Sequence, residues 1–407
     1  MRSVVGALAA ACAAWAALSA QGQPLVQAGL KLDDAMTLAL ANNKTIAAAR
    51  LRHPVTLAGV GVAGERPNPD VLYEAARDTP RQAISLNFPI ELGGKRGARV
   101  AAAQAAVATG DAEVDQIIAG VLDNVRRTYI ELAAAVRKVA IAEEVAGLYT
   151  RARDAAHARY EAGDAPRRDD VAAQADWLTA QNDLTAARGD VEATRSELNV
   201  LLGQAPGAPL TLATPAQLGP VPDLPTALAQ ADQQNTDLKV LDREIEEQTA
   251  RVNVARSLQK PDATVGGGIT FDAEPDFSVG WRADFGMTLP LFTTHKAGVA
   301  LESAELGHLQ AEREAVRADI EGAVASALAR AASAQTQVNA YDRDILPLTQ
   351  QDEAFAQDAY QSGQTGIDAL ILALQHARER RLAGLQALLD FHLALADLER
   401  AIKGPVR

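Results

Sequence analysis

The residues able to carry chemistry are few and scattered. Six histidines, His53, His157, His295, His308, His376 and His392, stand far apart in the chain. None is spaced to put two metal ligands on one helix face, so no metal site and no cofactor are expected. Gly266-Gly267-Gly268 has the composition of a phosphate loop. No Lys-Ser/Thr follows it and no helix begins there, so close packing between strands is its expected use. No nucleophile stands with a base and an orienting group in a recognisable arrangement. The chain is not expected to be an enzyme, and its informative residues must act by position and surface.

A net charge of −13 and a pI near 5.0 exclude nucleic-acid binding through a basic surface. Ordinary solubility and an acidic lumen favouring cationic cargo both remain open. Aromatics make up 4% of the residues while alanine is abundant throughout. That composition favours long helices packed closely through small side chains over one large core. Residues 1–20 begin Met1-Arg2, continue apolar from Val4 to Leu18 and end on Ser19-Ala20, the pattern of a secretory signal peptide. Cleavage near Ala20 removes Cys12, the one cysteine; the alternative, Cys12 as a lipid acceptor, has a poor motif in Ala9-Ala10-Ala11. Beyond residue 20 no run of about 18 apolar residues occurs, so a membrane span would have to be a β-barrel.

The second half of the chain repeats the first at an offset of about 200 residues. Leu86–Ile90 corresponds to Thr288–Leu291, Tyr160–Gly163 to Tyr360–Gly363, and Leu201–Gly203 to Ile402–Gly404. The expected organisation is a first repeat over 21–203, a Pro/Gly-rich linker over 204–225 and a second repeat over 226–407. Each repeat reads as helix, strand pair, very long helix, tight turn and helix. Val100, Val107, Val114 and Val121 form one heptad row, and Ile118, Val125, Leu132 and Val139 the row behind it. With no proline from Ile90 to Ala165, a helix of about 65 residues would run about 100 Å. In the second repeat the row runs Ile320, Val324, Ala327, Ala331, Ala334, Val338, Tyr341, Ile345 and Leu348, with Pro347 expected to bend or interrupt it. The returning helices, about 167–202 and 366–403, carry Leu184, Val191 and Leu198, and Leu388, Leu395 and Ile402.

Strands separate this chain from a plain coiled coil. Phe277, Val279, Trp281, Ala283, Phe285, Met287 and Leu289 alternate with Ser278, Gly280, Arg282, Asp284, Gly286 and Thr288, the period-two pattern of a membrane strand. Phe277, Val279, Trp281, Phe285, Met287 and Leu289 are expected to face lipid. The partner strand spans 262–271, with 272–276 as the loop. In the first repeat, 70–75 and 82–88 form the corresponding pair. Four strands cannot close a membrane barrel, so several chains must contribute to one.

These features resemble the outer-membrane efflux protein family, the TolC-like ducts, over nearly the whole chain beyond residue 20. The resemblance rests on Leu32-Asp33-Asp34-Ala35 to Ala41-Asn42-Asn43, on Pro67-Asn68-Pro69, and on Phe88-Pro89-Ile90-Glu91-Leu92-Gly93-Gly94-Lys95-Arg96. The last stretch is similar to the strand-to-helix junction of the heavy-metal branch, marked here by Gly93, Gly94, Lys95 and Arg96. The turns at Tyr160–Gly163 and Tyr360–Gly363 are similar to the family's two periplasmic hairpin tips. The resemblance implies a mainly α fold in which long hairpins form an α-barrel and four strands per protomer close a 12-stranded β-barrel in a homotrimer. It implies a seat in outer-membrane lipid, and partners in a periplasmic adaptor (membrane fusion) protein and an inner-membrane RND-type pump. The tip residues Tyr160, Gly163, Asp169, Tyr360, Gly363 and Asp368 would dock the adaptor. Asp169 keeps the family's six-residue spacing from the tip glycine, whereas Asp368 lies five residues on, and Pro166-Arg167-Arg168 makes the first tip unusually basic. Lys95-Arg96 has two open readings, contact with lipid headgroups and a gating role. A duct for metal cations or small molecules leads. A duct for type I protein secretion and a periplasmic coiled-coil adaptor or scaffold are the alternatives.

Overall fold

The computed structural model describes residues 29–213 and 221–403. The signal segment 1–20 with Cys12, part of the 204–225 linker and Gly404 lie outside the described residues. The chain opens with three short helices, α1 (Leu32–Asn42), α2 (Lys44–Arg50) and α3 (Arg52–Ala63), followed by β1 (Asp70–Ala75) and β2 (Gln82–Ile90). Next come the 67-residue α4 (Lys95–Glu161) and the returning α5 (Arg167–Leu201). The second half carries α6 (Leu224–Gln234), α7 (Thr236–Ser257), β3 (Asp262–Ala273), β4 (Phe277–Thr288) and α8 (Lys296–Ala340). A π-turn at Tyr341–Ile345 then leads into α9 (Leu346–Gln361) and α10 (Ile367–Ile402).

At 1.5 Å per residue α4 is about 100 Å long. It runs unbroken, and its heptad rows find partners along most of that length: Val114 is buried, and Val121, Val125 and Leu132 are buried against α1, α2 and α5. Further on, Val145, Leu148, Tyr149, Ala152 and Ala156 pack on α5 and α10. Beside the strands the same rows thin out, and Val100 and Val107 are only half-buried. The strands run longer than their alternation suggested: β2 continues through Pro89 to Ile90, and β3 reaches Ala273, shrinking the expected 272–276 loop.

One short motif is used twice. Ala35, Ala39 and Asn43 recur as Ala227, Ala231 and Asn235. The alanines are buried where a helix lies flat on the long hairpin. Asn43 caps α2, its Oδ1 accepting from the Thr45 and Ile46 amides, while its Nδ2 donates to the Leu201 carbonyl at 2.8 Å. Asn235 caps α7 in the same way and donates to the Ala401 carbonyl, also at 2.8 Å. Each side chain thus satisfies the start of one helix and the end of another.

The second-half row departs from expectation at its lower end. Ile320, Val324, Ala327, Ala331 and Ala334 are buried, but Leu348 is exposed. The interruption falls at Tyr341–Ile345, just ahead of Pro347, and helix resumes with that proline in its first turn. A π-turn accommodates one extra residue, which rotates the following face by about 100°. Thr349, Glu353 and Tyr360 therefore turn inward in place of the Leu348 face. Glu353 makes a largely buried ion pair with Arg381 at 2.7 Å.

Asn43→Ala and Asn235→Ala each remove a cap and leave a buried carbonyl unpaired, and each should lower stability by about 2 kcal/mol. Thermal unfolding of the purified variants, read by far-ultraviolet circular dichroism, measures this.

Candidate functional site

The strands form one four-stranded antiparallel sheet in the order β1-β2-β3-β4, leaving β1 and β4 each with an unpaired edge. The register puts Tyr73, Ile84, Ile269 and Trp281 in one row across it, and Phe88, Val265 and Phe285 in another. These side chains share one face, and that face is bare: Trp281 is 84% exposed. Phe277, Val279, Phe285 and Met287 are exposed beside it, as is Leu289 just past the end of β4.

The opposite face is concave and polar. Ala83, Ser85 and Thr270 are buried in it. Arg282 on β4 reaches Glu74 on β1 at 2.7 Å and Asp284 at 3.2 Å. With strands about 4.8 Å apart, that link between the two edge strands requires the sheet to curl. Glycine in β3 allows it, since a Cβ on Gly268 would lie 2.5 Å from the Ile84 carbonyl oxygen. The triple glycine thus serves close strand packing.

Where strands give way to helices, the predicted junction is a charged clamp. The Lys95 side chain is buried, the whole residue keeping 6% of its exposure, and its Nζ donates to Asp262 at 2.6 Å. The other oxygen of Asp262 accepts the Leu92 amide. Lys95 is therefore not in contact with headgroups; a carboxylate of its own chain holds it inside. Arg96 donates to the Gly64 carbonyl at 2.6 Å, tying α4 to the end of α3. Arg99, which sequence reasoning missed, holds Glu91 through both guanidinium nitrogens and also reaches the Glu65 carbonyl. Its hydrogen bonds hold the Glu91 carboxyl below the usual carboxylate range. Gly93 and Gly94 take positive φ of 74° and 77° to make the bend.

The tips form at the far ends of the long helices. Gly163 and Gly363 adopt φ of 80° and 75°. At each, the glycine amide donates three residues back, and the following amide, Asp164 or Gln364, donates five back. This is the left-handed helix stop that glycine takes at least cost. The two tyrosines part company: Tyr160 is 38% exposed, whereas Tyr360 is 3% exposed and lies under Arg159, whose guanidinium is 5.1 Å from its ring. Asp169 is half-buried and Asp368 is exposed in the first turn of α10.

Elsewhere the chain is chemically quiet. Burial pushes the Tyr149 hydroxyl up to about 12 and lowers His392. Glu244 is raised by burial and then by Glu113, Glu312 and Glu247, its neighbours in a groove bounded by α3, α4, α7 and α8. Among the described residues no group of three or more His, Cys, Asp or Glu is placed to hold a metal ion. No described helix is long and apolar enough to cross a membrane.

The junction predicts an asymmetry. Asp262→Ala strands a buried ammonium and should cost about 3 kcal/mol. Lys95→Met leaves a partly exposed carboxylate that water can reach, and should cost about 1 kcal/mol. Thermal unfolding of the two variants checks the order.

Comparison with known proteins agrees with this architecture. The family described as outer membrane efflux protein matches residues 35–204. The cobalt-zinc-cadmium resistance protein CzcC of Cupriavidus metallidurans is 28% identical over 267 residues, which cover 64% of this chain and 63% of that protein's length. Among solved structures, CusC superposes with a TM-score of 0.77 at 17% identity, covering 92% of each chain. The outer membrane protein VceC of Vibrio cholerae gives 0.75 at 15% identity, covering 92% of this chain and 97% of its own. Residues 35–204 thus match the outer membrane efflux protein family by sequence, and nearly the whole length shares the fold of solved outer-membrane channel proteins.

Proposed function

We propose that this chain is one of three identical protomers of a passive exit duct that carries divalent metal cations from a periplasmic adaptor and an inner-membrane RND-type pump across the outer membrane. The observation that carries the reading is the curled, open-edged sheet, apolar outside and polar inside. Channels of this family sit in the outer membrane of Gram-negative bacteria, and this chain has its place there. Backbone N–H and C=O groups on the free edges of β1 and β4 cannot remain unpaired in hydrocarbon, so other copies must supply their partners. Three sheets of four strands give twelve, within the range of closed membrane barrels. The bare rows through Trp281 and Phe285 then meet lipid, and Arg282 with its carboxylates lines water.

The division into repeats over 21–203 and 226–407, joined by 204–225, belongs to the same reading. Each repeat supplies one strand pair to the barrel and one hairpin to the periplasmic tube, and both tips end farthest from the membrane. Tip residues Tyr160, Gly163, Asp169, Gly363 and Asp368 are then what an adaptor meets. Buried Tyr360 holds the tip together instead. A coiled-coil scaffold would have no use for an apolar sheet face, which disfavours that alternative. Metal cargo is supported by the likeness to a protein named for cobalt, zinc and cadmium resistance, and by the net charge of −13.

Three outcomes follow from this reading. Trp281→Arg should cost about 2–4 kcal/mol of assembly near the midplane while Arg282→Ser assembles normally, as measured by the folded fraction in the membrane. Equal assembly of both would reverse the facing. Gly163→Ile with Gly363→Ile should leave membrane insertion intact and abolish export, because β-branched residues resist positive φ. Deleting the gene should sensitise cells to cobalt, zinc or cadmium; unchanged metal resistance alongside sensitivity to dyes would replace the metal cargo with small organic molecules.

A further inference from the structure

The two hairpin tips share one backbone and differ in charge. Each part of the first recurs 200 residues on: Gly163 and Gly363 take the same left-handed turn, and α5 and α10 begin at Arg167 and Ile367. The side chains can therefore be compared place by place. Glu161 becomes Gln361, Asp164 becomes Gln364, Arg167 becomes Ile367, Arg168 becomes Asp368, Asp169 becomes Ala369 and Asp170 becomes Leu370. From Gln361 to Leu370 the second tip keeps one charge, at Asp368, and there the sign is reversed.

Within the first tip the carboxylates are largely engaged and the guanidinium groups are not. Glu161 and Asp170 both face His157, at 3.4 and 3.2 Å, and Asp169 is half-buried. Arg167 and Arg168 are exposed, and among the described residues no carboxylate lies within ion-pair distance of either. Both stand in the first turn of α5, where the free amides already concentrate positive charge. Asp169 and Asp170 suit that turn; the two arginines oppose it. In the matching turn of α10 the ordinary preference holds, with Ile367 buried and Asp368 acidic. Two cations that work against their own helix and find no partner in their own chain mark a surface shaped by something outside it.

We propose that Arg167 and Arg168 select the periplasmic adaptor by receiving carboxylates of its contact surface, and that selection falls on the first tip alone. This rests on the reading of the tips as docking ends and names the chemistry of the partner there. The second tip cannot receive the same carboxylates, because Asp368 stands where Arg168 does and repels them.

The test uses the full chain in cells of its own host. R168K keeps the charge and adds an amine that a water-soluble carbodiimide joins, with no spacer, to any carboxylate in contact. Mass spectrometry of peptides carrying position 168 should show a link to an aspartate or glutamate of a second protein. A photoreactive p-benzoylphenylalanine in place of Asp164 should capture that same protein. R167Q/R168Q should lose most of this capture, and R167K/R168K should keep it. R167Q/R168Q should also melt no lower than the unmodified chain, since it relieves the positive end of α5. A lower melting temperature would mean that the arginines serve the chain's own stability, and overturns the proposal. So does a carbodiimide link confined to the same copy or to another copy of this chain, or no link at normal assembly. If p-benzoylphenylalanine captures no second protein from either position 164 or position 364, the docking reading itself fails. Capture that R167Q/R168Q leaves unchanged overturns the selection and leaves docking at the tips standing.

Discussion

An open sheet edge cannot survive in lipid, and most of this molecule follows from that constraint. Water would satisfy the outer N–H and C=O groups of β1 and β4 in a soluble protein. In hydrocarbon each unpaired group costs several kcal/mol, so the four-stranded sheet is stable only as part of a closed ring. Its two faces are already sorted for that setting. The convex face carries apolar side chains apart from Gln82 at its rim, while the concave face draws Glu74, Arg282 and Asp284 together across all four strands. The curl that brings the edge strands within reach of one arginine is a segment of a barrel wall in miniature.

Where the strands give way to helices, the charged clamp at the junction fixes the direction of the first long helix. Lys95, Arg96 and Arg99 on the first turns of α4 hold, respectively, a carboxylate of β3, the end of α3, and Glu91 with Glu65. The long helix α4 is thereby aimed by the strand it follows. Below, Asn43 and Asn235 fasten the short helices to the ends of the returning ones, and ion pairs such as Arg381–Glu353 and Arg378–Asp183 tie the helices together between there and the tips. The halves are similar but not equal: α4 runs unbroken, whereas its counterpart is split by a π-turn and presents a different face below it.

Much of this was legible in the sequence because its signals are periodic. Heptad rows of valine and leucine gave the long helices, and strict alternation from Phe277 to Leu289 gave β4, since both patterns extend over many residues and add up. The tip turns were legible because positive φ at a helix end selects glycine. Two kinds of feature were not. The π-turn is an insertion of one residue in phase, with no composition of its own, so Leu348 was read as part of the seam it actually leaves. Burial of Lys95 depends on Asp262, 167 residues away, and nothing local to Lys95-Arg96 announces that partner. The Ala35-Ala39-Asn43 motif and its copy were present in the sequence. They lie at a slightly different offset from the rest of the repeat, which hid the correspondence.

Whether the sheet is a third of a closed wall decides everything above it. Native mass spectrometry of the detergent-solubilised protein tests this most directly. The account predicts a single species of three copies that retains its β-sheet circular dichroism; a monodisperse single copy with the full β signal would show that four strands suffice, and would contradict it.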